Sequence, residues 1–244
     1  MTKIFEALER ASQERKPSEK LLVPSLSESY PPLKATIDFE EEMLSLYKNI
    51  EALLPGIPHK LILFAGTQKG EGTSTIVREF AKLCANRIGK SVLLIDGDRS
   101  RPSQHQFFDI QSEYGWVEAV QNGRELRTAL CQVGNTPLFV SPSCNSATYT
   151  PEIFDPHGTE AFWKKLIQQF HFVLIDSSPL SQSPDGLAFA PRVDGVVMVV
   201  EAERTRWRVA ESWKDKITKV GGNVIGVVFN KRRYYIPDFV YKRI

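Results

Sequence analysis

Cysteine is scarce in this sequence, with only Cys84, Cys131 and Cys144 among 244 residues. An odd number without paired or ligand-like spacing excludes a disulfide framework and a cysteine–zinc site, and it fits a reducing compartment. His59, His105, His157 and His171 are equally scattered, so no histidine metal cluster is expected. An excess of one charge is lacking too. The chain carries 31 Lys and Arg against 29 Asp and Glu, a formal net charge of +2. That balance does not suggest a dedicated nucleic-acid binder. No apolar run approaches the roughly 18 residues of a spanning helix, and no secretory signal pattern is present, so a cytoplasmic location is expected. No internal repeat is visible. What the chain does have is core, since 42% hydrophobic content is ample for a single α/β domain.

Composition divides the chain into four parts. Residues 1–16 read as a short amphipathic helix, with Ile4, Phe5, Leu8 and Ala11 toward one face. Such a stripe packs on its own domain or serves as a docking peptide for a membrane partner. Residues 17–37 are polar and dotted with Pro17, Pro24, Pro31 and Pro32, as a linker would be. Residues 38–233 hold the domain, and residues 234–244 form a tail containing Tyr234, Tyr235 and Tyr241. At the head of the domain, Asp38 is placed near the N-cap of a helix whose apolar stripe is Phe39, Met43, Leu46 and Ile50. Arg204, Arg206 and Arg208, and Lys231 to Arg233, are two basic runs. They read first as solvated surface and second as anion- or membrane-binding groups.

The stretch from Leu61 to Thr75 organises the rest. Four apolar residues lead into Gly66-Thr67-Gln68-Lys69-Gly70-Glu71-Gly72, and a helical pattern starts at Thr73. Gly70 and Gly72 let the backbone curl so that successive N–H groups point inward. The dipole of the following helix adds positive potential, and the concavity suits a polyphosphate. The usual phosphate loop ends in Gly-Lys-Ser/Thr. Here Thr73 stands where the lysine belongs, Ser74 supplies the hydroxyl, and Thr67 replaces the first glycine.

Two further apolar runs end in acid. Val92 to Ile95 leads to Asp96 and Asp98, followed by Arg99, Arg101 and Pro102. Phe172 to Ile175 leads to Asp176. Continuous apolar runs fit strands buried on both faces, and ligands of open α/β sheets sit at such carboxyl ends. Pro137–Val140, Val196–Val200 and Val224–Phe229 read as further strands. Helical patterns fall at 73–88, 105–108, 115–120, 162–170 and 206–219, with 141–155 a loop. Alternation of this kind predicts an α/β fold, a parallel β-sheet flanked by helices on both faces in a three-layer, Rossmann-like P-loop arrangement.

In these motifs the chain resembles the bacterial tyrosine autokinases of capsule and exopolysaccharide loci. Those belong to the larger class that includes septum-positioning and chromosome-partition ATPases. Lys69 to Thr75, Asp96 to Pro102 and Leu174 to Pro179 carry the resemblance. Val193 to Val196, Thr205-Arg206 and Gly226 to Asn230 echo it, and it spans about residues 37–232. It implies ATP or ADP with Mg²⁺ as cofactors. Gly70, Glu71, Gly72, Thr73, Ser74 and Thr75 would form the cradle, with Asn230 near the adenine. Ser74, Asp96 and Asp176 would hold the metal, with Asp98 placed to orient an acceptor hydroxyl. Lys69 and Arg101 are the substitutes for the missing lysine. Tyr234, Tyr235 and Tyr241 are the phospho-acceptor candidates. The implied partners are a membrane polysaccharide co-polymerase, acting as chain-length regulator at the inner face of the plasma membrane, and a cognate tyrosine phosphatase.

The departures matter as much. Leu44 and Tyr47 replace both arginines of the family's ring-building Glu-x-x-Arg-x-x-Arg pattern, although Glu41 matches its start. A monomer or small homo-oligomer is therefore expected. Gln68 takes the place of the extra lysine of partition ATPases and argues against that class. Three readings remain: a nucleotide-binding regulator with weak or absent kinase activity, an active kinase using Lys69 or Arg101, and a nucleotide-independent scaffold.

Overall fold

The structure, a computed structural model, describes residues 39–112, 114–122, 126–143 and 156–232. The 1–16 helix, the linker, Asp38 and the three tail tyrosines lie outside the described residues. In chain order the elements are α1 (Glu40–Leu53), β1 (Lys60–Gly66), α2 (Thr73–Asn86), β2 (Val92–Gly97), α3 (Gln104–Phe107) and α4 (Trp116–Asn122). There follow β3 (Cys131–Gln132), β4 (Leu138–Ser141), α5 (Pro156–Ile167), β5 (Phe172–Ser177), α6 (Asp185–Phe189), β6 (Gly195–Glu201), α7 (Trp207–Lys219) and β7 (Val224–Asn230).

The seven strands run in the order β3-β4-β2-β5-β1-β6-β7. All neighbours are parallel except β3 and β4, which pair antiparallel at one edge. β1, β2 and β5 are buried along their whole length. That explains their unbroken apolar runs, since helices cover both faces. Ile62 and Phe64 point to one face, into a core with Met43 and Ile50 of α1 and Val77 and Phe80 of α2. Leu61, Leu63 and Ala65 point to the other, among Trp116, Trp163, Phe189 and Ile217. Phe80 sits between Phe64 and Phe172, at ring separations of 5.7 and 5.9 Å. Burying each such ring stabilises the fold by roughly 2–3 kcal/mol.

The expected architecture is therefore present, with local corrections. α5 begins at Pro156, well before the expected start at Phe162. Proline suits the first turn of a helix, where its missing N–H is not needed. α1 runs on to Leu53, and its N-cap position is Phe39, without a side-chain cap. Its stripe is as expected, with Met43 and Ile50 buried and Phe39 and Leu46 partly so. Leu44 and Tyr47 also pack on this core, Tyr47 against Phe172 at 6.0 Å. The places of the two ring-building arginines are thus taken by packing residues. β3 and α6, two and five residues long, escaped the hydrophobic pattern because neither is long enough to repeat its period.

Candidate nucleotide-binding site

β1, β2 and β5 deliver their C-terminal ends to one place. β1 stops at Gly66, and the turn after β5 grips the loop that follows: Leu180 N–H donates to Gly66 O (2.9 Å) and Ser181 N–H to Thr67 O (3.2 Å). Gly70 and Gly72 take φ of +88° and +90°, as the curl requires. Gly72 has no room either, because a Cβ there would lie 2.2 Å from Asn230 Nδ2. Gly72 then starts α2, its carbonyl accepting from Thr75 and Ile76. The loop is closed by its own glutamate. The buried Glu71 carboxylate accepts from Thr67 Oγ1 (2.8 Å), Gln68 N–H (2.8 Å) and Thr205 Oγ1 (2.5 Å). Three donors make that buried charge tolerable. Asn230 Nδ2 clamps the Glu71 carbonyl at 2.8 Å from the end of β7.

Thr73 heads α2 and is 9% exposed. Its hydroxyl lies back against the strand end, where a Cβ on Gly66 would meet it at 2.5 Å. Lys69 and Arg101, the expected substitutes, are both exposed. Arg101 contributes its backbone N–H to Asp98 at 3.1 Å. The cation that does touch the loop is Lys231, whose Nζ donates to the Gly70 carbonyl (2.6 Å) and pairs with Glu201 (3.2 Å). Arg204 joins the same Glu201 at 3.0 Å. Lys231 and Arg204 thus bring the two basic runs together beside the loop. The sequence could not signal that, because β6 and β7 pair only in the fold.

Asp96 and Asp176 stand opposite each other in register on adjacent strands, both fully buried. Burial raises the pKa of each above the ordinary carboxylate value, and each neighbours further negative charge: Asp176 beside Asp96, Asp98 beside Asp176. Backbone N–H groups oppose the rise at Asp96. The Gln104 amide and the Ser74 hydroxyl oppose it at Asp176. Asp96 Oδ2 accepts from the N–H groups of Ser103 and Gln104, both at 2.9 Å, and Oδ1 accepts from Asp98 at 3.3 Å. Asp96 therefore caps α3 from the end of the preceding strand, a service helix starts usually take from the N-cap side chain. Trp116 Nε1 pins the Asp96 carbonyl at 2.9 Å. Asp98 Oδ1 collects Ser178 Oγ (2.7 Å) and the N–H groups of Ser100 and Arg101. Arg99 pairs with the buried Asp185 at 3.5 Å.

The carboxylates alone do not form a metal cage. No group of three or more His, Cys, Asp or Glu able to hold an ion exists among the described residues. Mg²⁺, however, is usually held by one or two carboxylates together with a nucleotide's phosphates and water. Asp176 beside Ser74 at the head of α2, with a buried Oδ1 lacking a partner beyond the nearby hydroxyl, fits that role. The structure brings Gly70 to Ser74, Asp96, Asp98, Asp176 and Asn230 to the same end of the sheet. It leaves Lys69 and Arg101 on the surface. Gln104 was not anticipated, because nothing in its sequence context marks it.

A mostly parallel sheet with a glycine loop at its centre and acidic strand ends beside it is the fold of a P-loop domain. The solved structures of this shape agree. The chimerical protein CapA2B2 matches with a TM-score of 0.71 at 23% identity, over 82% of this chain and 87% of that one. The septum site-determining protein MinD of Pyrococcus horikoshii, complexed with Mg-ADP, matches with a TM-score of 0.61 at 15% identity, over 75% and 76%. In sequence, the tyrosine-protein kinase CpsD of Streptococcus pneumoniae is 26% identical over 193 residues, 79% of this chain and 84% of CpsD. The chain belongs to the family described as cellulose biosynthesis protein BcsQ, whose model matches residues 59–210. The resemblance to bacterial tyrosine kinases read from the motifs holds as well. No helix among the described residues is long and apolar enough to cross a membrane.

Proposed function

We propose that this protein is a Mg-nucleotide-binding regulator of exopolysaccharide production whose phosphoryl transfer is weak or absent. The observation that carries the reading is Thr73. It occupies the head of α2, where the loop's lysine belongs, and its short hydroxyl turns back toward Gly66. The cradle itself supports binding: N–H groups from Gly70 to Ser74, the Ser74 hydroxyl, Asp176, and Asn230 at the rim. When bound, Mg-ATP supplies the phosphoryl group and part of the neutralising charge. The protein's own part is positioning and electrostatic stabilisation. Asp98 would orient an acceptor hydroxyl, and the N-terminal dipole of α2 would favour the phosphates. The cation that would meet charge building on the γ-phosphate is missing from the loop because Thr73 stands in its place, and Lys231 is engaged with the Gly70 carbonyl and Glu201.

A membrane polysaccharide co-polymerase is the partner this reading calls for, with a cognate tyrosine phosphatase where the tail tyrosines are modified. Leu44 and Tyr47, packed on the core, favour a monomer or small oligomer over a ring. The test is Thr73→Lys. One preorganised electrostatic group contributes ~10²–10³ in rate, so the variant should gain at least ~10²-fold in ATP hydrolysis or tyrosine phosphorylation with labelled ATP. A wild-type protein that already turns over, loses that activity in Lys69→Ala and gains nothing from Thr73→Lys overturns the reading.

A further inference from the structure

Gln104 is fully buried and opens α3. Its Nε2 donates to Asp176 Oδ2 at 2.7 Å and to the Ser74 carbonyl at 3.1 Å. That orientation of the amide is fixed, since a flip would set its oxygen against two acceptors. It leaves Gln104 Oε1 buried without a hydrogen-bond partner, and Asp176 Oδ1 buried with nothing beyond the Ser74 hydroxyl. Buried acceptors so poorly supplied with donors are rare, and two on hydrogen-bonded neighbours mark a place for a ligand. Both are oxygens, so a hydrogen-bond donor or a cation would satisfy them. Hard divalent cations take such mixtures of carboxylate, amide and hydroxyl oxygens.

Asp96, in contrast, has its Oδ2 filled by two backbone N–H groups of the α3 turn, one of them that of Gln104 itself. We propose that Gln104, and not Asp96, completes the cation site with Asp176 and Ser74, and that Asp96 acts through the backbone to hold Gln104 there. This rests on the Mg-nucleotide reading above and deepens it. A site of one carboxylate and two neutral oxygens carries little charge. It therefore retains its ion with nucleotide phosphates and releases it without them. Asp176 and Gln104 form the wall that recognises the ion, and the loop recognises the phosphates.

The experiment is Mn²⁺ binding to the whole protein in the presence of ADP, read from the electron paramagnetic resonance signal of free Mn²⁺. No turnover is needed. Gln104→Leu, which keeps the volume and removes both amide atoms, should weaken Mn²⁺ by about 10-fold or more, the scale of groups that order a metal site. Asp96→Asn, which keeps an acceptor for α3, should leave it within a few-fold of wild type. If Gln104→Leu does not fold, Gln104→Asn, which retains the amide but withdraws it by one carbon, should show the same weakening. Equal Mn²⁺ affinity in wild type and the folded Gln104 variant overturns the inference and leaves the nucleotide reading intact. No Mn²⁺ bound by wild type with ADP overturns both.

Discussion

The ends of β2 and β5 look alike in sequence, each an apolar run closed by aspartate, and the two carboxylates even pair in register. The structure treats them differently. Asp96 is drawn into the backbone of the turn that follows it, where Ser103, Gln104 and Asp98 donate to its oxygens. Asp176 meets only side chains, the Gln104 amide and the Ser74 hydroxyl. One acid builds the site, and the other faces it. The lesson is that a carboxylate at a strand end is assigned by where the next few residues go, since a returning helix start can occupy its lone pairs.

The comparison is broken most forcefully by truncating each acid. Asp96→Ala leaves three backbone N–H groups without their acceptor in a buried turn. It should lower stability by about 2–4 kcal/mol in urea unfolding, the sum of a lost cap and unsatisfied donors less the relief of one buried charge. Asp176→Asn, which removes a charge and keeps the shape, should leave the stability of the ligand-free protein unchanged or higher. Equal losses in the two variants would erase the distinction.

A smaller effect concerns pH. Both carboxyls have pKa values raised above 3.8 in the folded chain, burial being the main cause. The folded state then keeps protons that the unfolded state releases. The stabilisation is full below about pH 4 and is lost as pH rises through the folded values. Stability of the ligand-free protein should therefore decline from about pH 5 to about pH 8, and Asp176→Asn should flatten the decline. A rise over that range, or an unchanged slope in the variant, would contradict it. Smallest of all is Ser178→Ala, which removes the 2.7 Å bond to Asp98. It should cost about 1 kcal/mol in the same unfolding assay, while Mn²⁺ binding stays as in wild type.

How far the sequence alone reaches follows from the same contrast. β1, β2 and β5 were readable because burial on both faces writes an unbroken apolar run. The loop was readable because Gly70 and Gly72 sit at left-handed turns, and Gly72 has Asn230 pressed against it. The start of α5 was not, since Pro156, His157 and Gly158 look like loop although proline suits a first helical turn. Gln104 was invisible because its meaning depends on a chain reversal that carries α3 back over Asp96. Lys231 was legible only as part of a basic run and Glu71 only as part of the loop motif, and their partners, Gly70 and Thr205, lie far off in the sequence.

The most direct measurement is calorimetric titration of ADP, with and without Mg²⁺, into wild type, Asp96→Asn and Asp176→Asn. The account predicts that wild type binds ADP more tightly with Mg²⁺ than without it. Asp176→Asn should lose that metal-dependent gain, and Asp96→Asn should retain it in folded protein. Absence of ADP binding by wild type, or equal loss of the Mg²⁺ effect in both variants, would contradict the account.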